Sequence, residues 1–128
     1  MKIKIKSFWP AIVWMILSTV AFCLPGSVLP KNTWLGKINA DKWIHIGIFT
    51  IMVFFWCIPL LNRQVQKPLI KLFTQITIAL FGFGVLIELI QHFFIYSRSF
   101  DWGDVGADAV GCFVGFYLST RQWKATLN

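Results

Sequence analysis

Four apolar runs, at residues 8–24, 43–61, 72–95 and 102–119, divide the chain, and its lysines and arginines gather in the joins between them. A helix needs about 20 mostly apolar residues to cross a bilayer core of roughly 30 Å. In lipid it satisfies every backbone polar group within itself. The pattern predicts an all-α, polytopic membrane protein: four transmembrane helices in one domain over residues 1–128, the fourth spanning only if its aspartates face inward. Composition agrees, with 57% hydrophobic and 13% charged residues, where a globular domain carries about a quarter charged. The first run follows Lys2, Lys4 and Lys6 like a signal peptide, but it is long and no small-residue cleavage site follows, so an uncleaved span is expected. Cys23, Cys57 and Cys112 sit singly inside apolar runs and match no disulfide framework or zinc motif.

The net charge of +7 does not point to nucleic acid, because the cations are membrane flanks and not a groove-reading face. Lys2, Lys4, Lys6, Arg63, Lys67, Lys71, Arg121 and Lys124 fall on one side of the predicted topology, with no acid among them. Lys31, Lys37, Lys42 and Arg98 fall on the other. The positive-inside rule then places both termini in the cytoplasm. Trp9 and Trp123 mark the inner interface; Trp34, Trp43, Tyr96 and Trp102 mark the outer one.

All the acid goes to that outer side. The chain has five acidic residues, namely Asp41, Glu88, Asp101, Asp104 and Asp108. An ionisable group in or beside a span is costly, which makes each a candidate for function. Asp41 and His45 are four apart, Glu88 and Gln91 three, Asp104 and Asp108 four, so each pair shares a helix face. The face of Asp104 and Asp108 continues through Ala107, Gly111 and Gly115, a small-residue ladder that lets a second backbone approach. Glu88, roughly 12 Å below a helix end at Tyr96, needs a counter-charge, for which Lys42 or Arg98 is expected. Glu88, His45 and Asp104 are the candidate acid–base groups; Asp41, Lys42, Gln91, Arg98, Asp101 and Asp108 are candidate ligand contacts. Asp101 equally suits an N-cap, and His92 a packing role. No resident cofactor is expected. Carboxylates with a histidine can hold a divalent ion, but the spacing fits no ligand motif, so no metal is assigned.

The segments DKWIHIGIF, ELIQ and RSFDWGDVGADAVGCFVG, in this order, resemble the VanZ-like family of small bacterial membrane proteins associated with teicoplanin resistance. The family pattern falls on Asp41, Lys42, His45, Glu88, Gln91, Arg98, Asp104 and Gly111. Asp108 stands where that pattern usually has asparagine, so it must be protonated or paired with Lys42 or Arg98 to play the same part. The resemblance implies a polytopic envelope protein of the bacterial cytoplasmic membrane, linked to glycopeptide tolerance.

Together these features predict an outward-facing polar pocket that binds, and is a candidate to modify, a lipid-linked or head-group-bearing envelope component. Lys42 and Arg98 would meet its anionic groups. Expected partners are membrane lipids, a lipid-linked cell-wall precursor or glycopeptide-related ligand, and a second copy of the chain. The alternative is a proton- or ion-coupled transporter component with Glu88 and Asp108 as carriers.

Overall fold

The computed structural model describes residues 8–25, 34–61 and 69–127. Lys2, Lys4, Lys6, Lys31, Arg63 and Lys67, which carry much of the orientation reading, lie outside the described residues. The described chain is all helix: α1 (Trp9–Phe22), a single turn α2 (Trp34–Lys37), α3 (Ala40–Leu61), α4 (Leu69–Phe94) and α5 (Trp102–Thr126). The four long helices fall on the four apolar runs. Pro10 lies in the first turn of α1, where its missing N–H has no helical partner to lose. Asn39, with φ of 50°, turns the chain into α3, a left-handed position that asparagine tolerates well.

By length and composition α3 and α4 can cross a membrane, so two of the four expected spans meet this criterion. The other two fall short for different reasons. The 14 residues of α1 reach about 21 Å, less than a bilayer core, whereas α5 is long enough but carries Asp104, Asp108, Arg121 and Lys124.

Burial is distributed as a lipid surround would require. Ile16, Leu17, Val20, Ile78, Phe113 and Tyr117 are exposed, while Ser18, His45, Glu88, Gln91, Asp108 and Ser119 are buried. Phe49, Met52, Val53, Cys57, Phe73 and Ile87 form the apolar centre between them.

The most extensive helix contact is α3 on α5, and the small-residue ladder makes it. A Cβ placed on Gly111 would lie 2.6 Å from the Ile46 carbonyl oxygen, and one on Gly115 2.7 Å from that of Thr50. The backbones therefore touch, and the Thr50 hydroxyl donates across the seam to the Gly111 carbonyl at 3.2 Å. The ladder expected as a packing face is used within one chain. That seam fixes the rotation of α5 and turns Asp104 and Asp108 toward α3.

Candidate functional site

The start of α3, the end of α4 and the start of α5 meet at one end of the bundle, and their polar residues converge there. Asp101 caps α5, its carboxylate accepting the Gly103 N–H at 2.6 Å. The other oxygen of Asp101 accepts from the Lys42 ammonium at 2.9 Å. Lys42 also donates to Asp104 Oδ1 at 3.2 Å and lies 3.5 Å from Asp41. Its stem crosses Gly103, where a Cβ would come within 2.6 Å of Lys42 Cε. The hydrogen-bonded ammonium, helped by the Gly103 N–H, holds the Asp101 carboxyl below the usual aspartate range against the cost of burial.

One turn deeper, His45 Nδ1 and Asp108 Oδ1 are hydrogen-bonded at 2.8 Å. The opposite ring nitrogen, Nε2, faces Asp104 Oδ2 at 3.8 Å. Asp104 thus offers one oxygen to Lys42 and the other to the histidine. The Phe22 ring closes over the imidazole with centroids 4.6 Å apart. Behind Asp108 stands Gly84 of α4, where a Cβ would be 2.7 Å from Asp108 Oδ2.

Glu88 lies six residues before the end of α4, about 9 Å along the helix, and is wholly buried. Its Oε2 accepts the Asp101 backbone N–H at 3.2 Å. Its Oε1 is buried without a hydrogen-bond partner. Donor atoms of His45, Glu88 and Asp104 lie within 4.8 Å of one another, and so do those of Asp41, Asp101 and Asp104.

The sequence-predicted residues thus divide. Asp41, Lys42, His45, Glu88, Asp101, Asp104 and Asp108 are brought together. The expected pairing of Glu88 with Lys42 or Arg98 is replaced: Lys42 is committed to three aspartates, and Glu88 takes a backbone N–H. Asp108 likewise pairs with His45 and with neither cation. Gln91 turns away from the cluster. It is 1% exposed and donates to the Phe22 carbonyl at 2.8 Å, satisfying an end of α1 that a helix leaves open. Arg98 sits in the α4–α5 connection, forms no ion pair among the described residues, and has a buried Nε without a partner. His92 is exposed and accepts the Phe100 N–H at 3.4 Å, outside the cluster. Sequence reading did not single out Phe22, whose ring and carbonyl both serve this end of the bundle; its only signal is its place near the end of the first apolar run.

An uncharacterized protein of Schizosaccharomyces pombe is 32% identical over 121 residues, covering 91% of this chain and 64% of that protein. The chain thus spans just under two thirds of that relative's length. No solved structure matches. The model of the VanZ/LLP1 family matches residues 6–123. That match runs through every residue of the cluster, and the chain belongs to the VanZ/LLP1 family.

Proposed function

We propose that this protein is a four-span envelope protein, both termini cytoplasmic, whose outward end binds a lipid-linked or head-group-bearing component. Family membership is consistent with a teicoplanin-resistance-associated envelope protein, and we place it in a bacterial cytoplasmic membrane. The observation that carries the reading is the convergence of buried Glu88, Asp104, Asp108 and His45 at one end of a bundle whose sides are apolar. Lys42 is already held by the three aspartates around it. Arg98, whose buried Nε has no partner and which forms no ion pair among the described residues, is the cation we assign to a phosphate or carboxylate, which a guanidinium grips through two parallel bonds. His45 and Glu88 are the acid–base pair if the bound group is modified.

The test is binding of phospholipid head groups and of a lipid-linked cell-wall precursor to reconstituted protein, alongside teicoplanin susceptibility of cells expressing it. Arg98→Ala and Glu88→Gln are expected to weaken both readouts in folded protein. Unchanged binding and unchanged susceptibility in both variants would refute the assignment. Flux driven by a pH gradient in proteoliposomes, lost in Glu88→Gln, would instead support the ion-coupled alternative.

A further inference from the structure

We infer that His45, Glu88 and Asp104 form a binding site for one divalent transition ion of the zinc class. The two groups of acidic residues in this end of the bundle differ in one respect. The outer one, Asp41, Asp101 and Asp104, surrounds the Lys42 ammonium, which lies 3.5, 2.9 and 3.2 Å from the three carboxylates. The inner one, His45, Glu88 and Asp104, converges to within 4.8 Å; Lys42 touches it through Asp104 Oδ1 alone, and Glu88 pairs with no lysine or arginine among the described residues.

Three features distinguish the inner group from a mere gathering of acid. Glu88 is 0% exposed, and its Oε1 has no hydrogen-bond partner. An acceptor so buried and unpaired is costly unless something positive meets it. His45 Nδ1 is hydrogen-bonded to Asp108 at 2.8 Å, and Nε2 faces Asp104 Oδ2 at 3.8 Å; with the proton on Nδ1, Nε2 is the free ligand atom. A ligating histidine is commonly held in this way, its second nitrogen donating to a carboxylate. Asp104 is steadied in turn, because Lys42 occupies its other oxygen.

The donor set selects the ion. An imidazole with two carboxylates suits zinc, which takes nitrogen and oxygen ligands together, whereas calcium and magnesium favour oxygen alone. Metal–ligand bonds of about 2.0–2.2 Å in a tetrahedral site put neighbouring ligands about 3.3–3.6 Å apart. Closing the group from within 4.8 Å asks each ligand atom to move inward by up to about 0.8 Å. Three protein ligands leave a fourth position open, as in catalytic zinc sites. The inference rests on this geometry alone and does not depend on which head group the pocket takes.

The experiment is titration of Zn²⁺ into purified, detergent-solubilised protein after chelator treatment and dialysis, followed by zinc-edge X-ray absorption of the loaded wild type. One zinc per chain is expected, bound more tightly than Ca²⁺ or Mg²⁺. Nitrogen and oxygen neighbours should appear near 2.0–2.1 Å, with no sulfur among them. Asp108→Asn, which alters the support of the histidine, is expected to weaken binding by about 10–100-fold. His45→Gln and Glu88→Gln should weaken it at least as much, and His92→Gln, at the only other histidine, should not. Absence of stoichiometric zinc, sulfur ligation, or equal affinity in wild type, His45→Gln and Glu88→Gln would each overturn the site. Where a variant fails to fold, the wild-type absorption spectrum decides. Head-group binding that survives removal of the zinc, or is lost while zinc is retained, separates this inference from the pocket reading.

Discussion

Two Gly→Ala substitutions in α5 isolate the backbone contact that orients the site. At Gly106 a new Cβ meets nothing within 4 Å, whereas at Gly111 it would lie 2.6 Å from the Ile46 carbonyl oxygen and 2.9 Å from Phe49 Cβ. Both changes gain the same helix propensity, about 0.8–1 kcal/mol, so that term cancels between them. What remains is the collision. A carbon–oxygen contact normally sits near 3.4 Å, so Gly111→Ala asks α3 and α5 to part by about 0.8 Å, and neither atom it meets is the end of a flexible side chain. Overpacking of this kind costs about 1–3 kcal/mol. Gly111→Ala is therefore expected to be less stable than Gly106→Ala by about 1–3 kcal/mol, measured by reversible unfolding in mixed micelles. Equal stability of the two variants, or a more stable Gly111→Ala, would refute backbone-to-backbone packing of α3 on α5.

Three further outcomes follow from contacts at the same end. Gln91→Ala leaves the Phe22 carbonyl without its donor, at a cost of about 1–3 kcal/mol; faster amide exchange confined to α1 is the expected readout, and exchange unchanged in α1 would contradict the clamp. Gly84→Ala drives a methyl to within 2.7 Å of Asp108 Oδ2, so zinc affinity in the titration above should fall; unchanged affinity would show that the carboxylate has room to move. Asp101→Asn keeps a capping side chain but removes the charge facing Lys42. The Asp101 carboxyl is depressed in the folded state, so its contribution is complete above the unfolded value of about 3.9 and is lost as pH falls through the lower folded value. Wild type should melt above the variant near pH 6, with the gap closing below about pH 4; a gap constant with pH would show that the charge is irrelevant.

Residue spacing made the helices and the shared faces legible. The four apolar runs became α1, α3, α4 and α5, and the spacing of Asp104, Asp108, Gly111 and Gly115 correctly placed acid and packing on one side of α5. It could not give partners across helices, because a period of 3.6 residues says which side chains share a face and not which neighbour that face meets. Asp108 is the clearest case: from sequence alone its candidate partners were the cations, and only the rotation fixed by the glycine seam brings His45 to it. Gln91 shares a helix face with Glu88, yet the end of α1 lies beside it and claims its amide. Membrane crossing was less completely recovered, since the described α1 is short and α5 has traded apolar length for its aspartates.

Asp101 stands where the α4–α5 connection hands over to the next helix, and it is fastened three ways. Its carboxylate holds the first turn of α5 and the lysine of α3, while its own N–H is gripped by Glu88 of α4. Such a rivet couples hinge and interior: any lengthening or swing of that connection must first unhook the buried glutamate, so the mouth of the bundle and its floor can only rearrange together.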